Sequence, residues 1–345
     1  MFSVKSDDML RENVFLKSLH TFHLPVYSKY LLDIQSEEAL VEFLMDNVYS
    51  DLPLLVLGGG SNMLFTKDFE GIILRNKVEG VEVLRETEET VLVEVGGGEN
   101  WHEFVLYCID KGWGGLENLT LIPGSVGAAP IQNIGAYGVE QKACFRSLSA
   151  IHLKTGQKRT FTAKECQFGY RDSFFKRNGK GKYMICRVEY ELSKIPQVNT
   201  SYGSIRDELA NRKIDQPGIK EVSDVVADIR RSKLPDPDEI GNSGSFFKNP
   251  VIPQALFEEI KTQHPDIPSY PAGEGEVKLP AAWLIQTCGW KGERRGDAGV
   301  HKRQALVLVN YGDAKGKEIF QLAMDIQKSV EETFKIKLAP EVNIF

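Results

Sequence analysis

The sequence predicts a mixed protein, with α+β and α/β character, of two or three domains, and three observations predict it. The chain has 345 residues with 42% hydrophobic and 26% charged content, which is enough to bury a large core and more than a single domain usually carries. Short apolar runs that read as buried strands alternate with helical patterns. Composition shifts near residue 230, where a helical pattern stops at the segment KLPDP, so a domain boundary belongs there.

The elements follow in order. The run at 54–57 is apolar and stops at GGGSN, and 71–75 and 91–95 read as further buried strands. Residues 101–111 look helical. The stretch 113–138 is so rich in Gly and Pro that regular structure is not expected through most of it, and such a long irregular segment inside a compact domain is usually functional. Residues 147–153, 157–161 and 183–192 alternate like strands of a mixed sheet, and 221–232 reads as a helix. Beyond it come helical patterns at 254–262 and 281–287, a strand at 305–310 and a helix at 316–334. In that last helix Ile319, Leu322, Ala323, Ile326, Val330 and Phe334 recur at steps of three and four, which makes one buried stripe rather than a cofactor box.

Charge narrows the function. A net charge of −6 and a pI near 5.7 argue against binding a nucleic-acid polymer, which needs a basic surface. The start, MFSVKSDDMLRENVF, is acidic and broken by polar residues, unlike a secretory leader, and no stretch reaches the ~18 apolar residues of a membrane span. A cytoplasmic protein is expected. Cys108, Cys144, Cys166, Cys186 and Cys288 are scattered without a CxxC pair, as reduced core thiols would be. His20 and His23 form a lone HxxH with no third ligand nearby, so no metal is expected.

Two glycine-rich segments carry the chemistry. Gly58, Gly59, Gly60, Ser61 and Asn62 follow a strand, and such a side-chain-poor turn can line successive backbone N–H groups around a diphosphate, with Ser61 and Asn62 as extra donors. It can equally be a plain turn. No GxGxxG or GxxxxGK occurs, so neither a Rossmann fold nor a P-loop is indicated. The cluster at 96–98 reads as a hairpin turn. The segment IPGSVGAAPIQNIGAYG, 122–138, exposes backbone through its glycines, prolines and alanines while Gln132, Asn133 and Tyr137 supply polar heads. A flavin edge, with its alternating donors and acceptors, suits such a lining; a long surface loop is the other reading. Three further spots stand out: FGYRDS with Arg171, GNSGSFFKNP with Ser245 and Lys248, and APEV with Glu341. Arg followed by Asp is usually a surface pair and Ser between glycines usually a turn, and without a GxSxG elbow or a nearby histidine a hydrolase is disfavoured.

At these residues the chain resembles the UDP-N-acetylenolpyruvoylglucosamine reductase family. GGGSN, GLENLTLIPG, PIQNIGAYG, ECQFGYRDS, KLPDP, GNSGSFFKNP and HKRQALVLVN stand in the family's order and spacing. The segment around Ser201, Tyr202 and Gly203 is similar to the longer of two family forms, which keeps a tyrosine loop over the substrate. The resemblance implies an FAD-binding module of the p-cresol methylhydroxylase and vanillyl-alcohol oxidase type, made of subdomains 1–78 and 79–229 with a core of about 24–195, and a smaller C-terminal α/β substrate domain over 230–345. It implies bound FAD, with Gly58 to Asn62 at the diphosphate and Pro123, Gly124, Val126, Gly127, Gln132, Asn133, Gly135, Ala136 and Tyr137 along the ring, and NADPH as co-substrate.

By the same resemblance Arg171 is the fixed cation beside the substrate carboxylate, Glu341 hydrogen-bonds the enolic intermediate, and Ser245 protonates the carbon next to the carboxylate. Tyr137, Tyr202, Arg230, Lys233, Asn249, Lys291 and Gln304 would hold the UDP-sugar. The implied activity is reduction of an enolpyruvyl UDP-sugar in peptidoglycan synthesis, by a monomer with no obligate protein partner. Ala128 and Ala129 stand where some members carry hydroxyl or glycine, and Asn343 where some carry arginine. Two rivals are another FAD oxidoreductase of this fold, such as an alcohol oxidase, and a catalytically silent flavin- or nucleotide-binding protein.

Overall fold

The computed structural model describes residues 10–46 and 48–345; the first nine residues of the acidic start lie outside it. The chain forms two compact units. One comprises the described residues up to Val14, Ser28–Gly60 and Glu70–Arg231; the other comprises Phe15–Tyr27, Ser61–Phe69 and Ser232–Phe345. Two short N-terminal stretches are thus built into the unit that holds the C-terminus.

In the first unit a five-stranded antiparallel sheet runs in the order Lys158–Thr162, Phe145–His152, Tyr183–Ser193, Thr90–Gly96, Val81–Glu86. Tyr183–Ser193 is its centre, and from Val188 to Leu192 buried and half-buried residues alternate because successive side chains point to opposite faces. One face packs on helix Trp101–Asp110, whose Trp101 is fully buried with its indole N–H donating to the Leu119 carbonyl at 3.0 Å. Asn100 caps that helix by accepting from the His102 and Glu103 amides. The other face meets strands of a four-stranded sheet and helix Glu37–Met45 in a second core, with Leu40, Ile72, Leu74, Ile151, Met184 and Cys186 among its residues. In that four-stranded sheet Leu54–Leu57 runs parallel to Phe69–Asn76, and its end delivers the glycine turn. Helices Gly203–Asn211 and Ile219–Lys233 pack on each other through Ile205, Leu209, Val222, Val225, Val226 and Ile229.

The second unit has a sheet ordered Gly241–Ser245, Val307–Asn310, Ala298–Val300, Arg294–Arg295, a three-stranded sheet of Val251–Pro253, Glu276–Lys278 and Tyr270–Gly273, and a parallel pair of Asn343–Ile344 with Met63–Leu64. Helix Gly316–Phe334 buries Ile319, Leu322, Ala323, Ile326, Val330 and Phe334, the stripe its sequence predicts.

Three expectations change. Residues 96–98 are not a hairpin turn: the Gly97 amide donates to the Cys186 carbonyl, the Gly98 amide to Val78, and the Gly97 carbonyl accepts from Gly127. Bare backbone there lets the glycine-rich loop 122–138 approach the sheet, and the hairpin turn sits at Thr87–Thr90 instead. Ser245 lies at the end of a strand rather than in a turn. Residues 305 and 306 precede the strand Val307–Asn310 rather than forming part of it.

The cysteines are small core groups: burial pushes the Cys166 and Cys186 thiols up to about 12, and Cys144 and Cys288 are half-buried. His20 Nε2 faces the Leu24 carbonyl, and the two ring nitrogens of His23 face the carbonyls of Lys17 and Pro237. Burial lowers His20 from 6.5 to about 4, the neighbouring His23 adding to the effect and the Leu24 carbonyl opposing it. Because the unfolded chain then binds the proton more readily, this contribution to stability is intact above pH 6.5 and is lost as pH falls from 6.5 through about 4. The loss amounts to about 3 kcal/mol. Urea midpoints of wild type and His20→Gln at pH 7 and pH 4.5 should show a visibly smaller fall for the variant.

Candidate active site

The glycine turn and the glycine-rich loop meet inside the first unit. A side chain at Gly58 would put its Cβ 2.3 Å from Ser125 Oγ, and one at Gly59 would lie 2.8 Å from the Gly124 Cα. The two segments therefore touch through backbone, a cradle that only glycine permits, and Gly60 takes a left-handed φ of 64°. A close-packed backbone without side chains is compatible with a diphosphate, so these residues fit FAD. Gly59→Val should lose FAD affinity tenfold or more, roughly 1.4 kcal/mol, because a Cβ 2.8 Å from the Gly124 Cα forces the turn and the loop apart. Quenching of flavin fluorescence on titration measures it; unchanged affinity would remove the turn from the cofactor site. Ser61 and Asn62 belong to the second unit.

The loop is anchored at both ends. The Gly124 carbonyl accepts from the Trp101 amide at 3.0 Å and the Val126 amide donates to Glu99. Within it Val126–Ala128 is a 3-10 turn and Gly135–Ala136 pairs with Val139–Glu140. Pro123 is exposed, Val126 and Gly127 are buried, and Ala128 is half-buried while Ala129 is buried. Gln132 accepts from Lys176 Nζ at 3.4 Å. The Asn133 side chain is not presented to a ligand as the sequence suggests: it is fully buried, and its amide is occupied by Glu140, Gly169, Gln141 and Lys142.

Arg171 stands in a tight turn with a left-handed φ of 51°, and its guanidinium donates to the Gly135 carbonyl. The FGYRDS motif is thereby closed onto the glycine-rich loop. Tyr137 packs edge-on to Tyr202, ring centres 5.3 Å apart, and joins the helix pair of 203–211 and 219–233. Burial raises the Tyr137 phenol, Arg230 opposing and Tyr202 reinforcing, so it stays a neutral hydroxyl. Arg230 Nε donates to the Leu121 carbonyl at 3.1 Å; burial lowers its pKa, Tyr137 opposing and Arg171 adding to the shift. The sequence reading missed what holds that carbonyl. Leu121 has a left-handed φ of 60°, and its amide donates to His102 Nδ1 at 3.1 Å. No local pattern announces this link, because its partners lie 19 and 109 positions away.

In the second unit Ser245 and Glu341 come together. Ser245 pairs with Val307, after an irregularity in which Gly244 takes φ 66°. The next residue, Phe246, accepts from the Glu341 amide at 2.8 Å, and the Lys248 amide donates to Ala339 at 2.9 Å. The chain end is thus laid along the GNSGSFFKNP strand. Asn62 Nδ2 donates to the Glu341 carbonyl at 3.3 Å, and Asn343 donates both its amide and its Nδ2 to the Asn62 carbonyl. Asn249 Oδ1 accepts from the Ala281 amide, Lys291 Nζ donates to Gln286 Oε1, and Gln304 Oε1 accepts from the Leu306 amide. Lys233 is exposed at the end of its helix.

Comparison with known proteins gives two family matches along the chain. Residues 29–161 match the FAD binding domain family and residues 236–345 match the UDP-N-acetylenolpyruvoylglucosamine reductase, C-terminal domain family. The chain is 49% identical over 336 residues to a UDP-N-acetylenolpyruvoylglucosamine reductase of Flavobacterium johnsoniae, covering 97% of this chain and 99% of that one. It is 46% identical to a reductase of the same name from Pseudomonas fluorescens, at 97% and 99% coverage. In fold it is similar to the crystal structure of the Thermus caldophilus reductase, with TM-score 0.69 at 22% identity over 97% of this chain and 99% of that one. It is also similar to p-cresol methylhydroxylase, with TM-score 0.50 at 12% identity over 98% and 87%. An FAD-binding domain of the p-cresol methylhydroxylase type, joined to this C-terminal domain at that level of identity, decides the matter: the chain belongs to the UDP-N-acetylenolpyruvoylglucosamine reductase family, FAD-dependent oxidoreductases of peptidoglycan precursor synthesis.

Proposed function

We propose that this chain reduces the enolpyruvyl group of UDP-N-acetylglucosamine enolpyruvate to UDP-N-acetylmuramate, with NADPH as the source of electrons. The observation that carries the reading is the closure of FGYRDS onto the glycine-rich loop, which fixes the Arg171 guanidinium at Gly135, beside the stretch suited to a flavin ring. FAD, held by the backbone of residues 58–60 and along residues 123–137, would supply the two-electron hydride chemistry that links NADPH to the enolpyruvyl double bond, with NADP released before the UDP-sugar enters. Steady-state double-reciprocal plots should therefore be parallel.

As the carbon–hydrogen bond forms, the electron pair of the double bond moves toward a carboxylate that is already anionic. Arg171 meets that charge with a planar cation that stays protonated. Glu341 hydrogen-bonds the enolic oxygen, and the Ser245 hydroxyl gives its proton to the carbon beside the carboxylate, completing the saturated ether. Ser245 and Glu341 sit on adjoining backbone, the Glu341 amide donating to the carbonyl of the residue after Ser245. Tyr137, Tyr202, Arg230, Lys233, Asn249, Lys291 and Gln304 are assigned to the UDP-sugar, the cations serving its diphosphate. Residues 1–78 and 79–229 are assigned to the FAD-binding module and 230–345 to the substrate domain, although Phe15–Tyr27 and Ser61–Phe69 fold with the unit that contains 232–345. Among the described residues no helix is long and apolar enough to cross a membrane. A cytoplasmic location and a monomer without an obligate partner belong to the proposal and rest on the family relationship rather than on that absence.

The test is substrate-dependent oxidation of NADPH by the FAD-loaded protein, with the product identified by mass. Consumption of oxygen in place of the UDP-sugar would favour an oxidase; no oxidation by either would favour a silent binding protein.

A further inference from the structure

We infer that Asn133 is a positioning residue for Arg171: its fully committed amide ties the turn that carries Arg171 to the flavin loop and so sets where the guanidinium stands. The inference rests on the reading of Arg171 as the cation beside the substrate carboxylate.

A carboxamide has two donors and two acceptor sites, and Asn133 uses all of them. Nδ2 donates to the Gly169 carbonyl and to Glu140 Oε2, both at 3.0 Å, while Oδ1 accepts from the Lys142 amide at 3.3 Å and from Gln141 Nε2 at 3.4 Å. Only one orientation of the amide fits, because a carbonyl and a carboxylate on one side need donors. Asn133 is itself left-handed, with φ 46°, a conformation that survives where its surroundings over-determine it.

Gly169 opens the turn. It exchanges hydrogen bonds with Asp172, its amide donating to Asp172 at 2.9 Å and its carbonyl accepting from Asp172 at 3.3 Å, and Arg171 lies between them with φ 51°. The far end of the Arg171 side chain reaches Gly135, where a Cβ would stand 3.1 Å from Nη1. Residues 133 and 135 thus hold the two ends of Arg171, one through the backbone of its turn and one through the guanidinium. An amide spent in this way does not contact the ring; it fixes the group that answers the developing charge, and small displacements of such a group cost rate.

The test is Asn133→Asp in the FAD-loaded protein. The change keeps size and the two accepted bonds, but removes the donor to Gly169 and sets a carboxylate against Glu140. Asn133→Asp/Glu140→Gln keeps a donor facing residue 133 on that side, and serves if the single variant does not fold. FAD affinity by fluorescence titration should stay within about twofold, and flavin reduction by NADPH should keep its wild-type rate. Reoxidation by the enolpyruvyl substrate should slow about tenfold or more, and in combination with Arg171→Lys the losses should fall well short of multiplying. Equal slowing of both half-reactions, full multiplication with Arg171→Lys, or wild-type reoxidation would each overturn the inference. If Arg171→Lys alone leaves reoxidation unchanged, it is the reading of Arg171 that fails, and the inference falls with it.

Discussion

Ser245→Ala should reduce turnover by about 100- to 10,000-fold, the range in which a positioned proton donor usually acts, while leaving flavin reduction by NADPH at its normal rate. The split follows from where Ser245 stands. It is half-buried at the end of a strand held by Val307 and followed by a Phe246 carbonyl that accepts from Glu341. Removing one hydroxyl leaves those backbone bonds intact, so the variant should fold and take up FAD. Without that proton the hydride has added but the carbon beside the carboxylate stays unprotonated, and the step can run backwards. Rapid mixing of the reduced variant with substrate reads this directly. Reoxidation at the wild-type rate would remove Ser245 from the chemistry.

Arg171→Lys should cost roughly 100- to 1,000-fold in kcat, the usual loss when a preorganised charge-stabilising group is removed, with a smaller change in KM. The carboxylate is anionic before and after reaction, but its charge is greatest as hydride arrives, so the interaction is worth most in the transition state. Lysine keeps the charge and loses the planar fork that reaches Gly135. A change confined to KM would make Arg171 a binding group only.

Much of the fold is legible in the sequence where the signal is local. The stripe of helix Gly316–Phe334 and the alternation in Tyr183–Ser193 report the periodicity of one element against one core. Strand Val81–Glu86 escapes because it is an edge, exposed along most of its length, and helix Gly203–Asn211 because only Ile205 and Leu209 are buried in it. The strand Gly241–Ser245 has no strand-forming side chains; it is extended because Val307–Asn310 pairs with it, a tertiary effect that propensity does not carry. The motifs that mark the site are legible for the opposite reason, since glycine-rich loops are written in composition. What holds them is not. Asn133 meets Gly169 across 36 positions and Asn62 meets Glu341 across 279, and a window of sequence contains no trace of either.

One measurement bears most directly on the claim that electrons pass from NADPH through a bound flavin to the enolpyruvyl double bond. FAD-loaded protein is bleached anaerobically with one equivalent of NADPH, freed of NADP, and then mixed with UDP-N-acetylglucosamine enolpyruvate. The visible flavin band should return in full, with one equivalent of UDP-N-acetylmuramate formed. A flavin that stays bleached until air is admitted would contradict it.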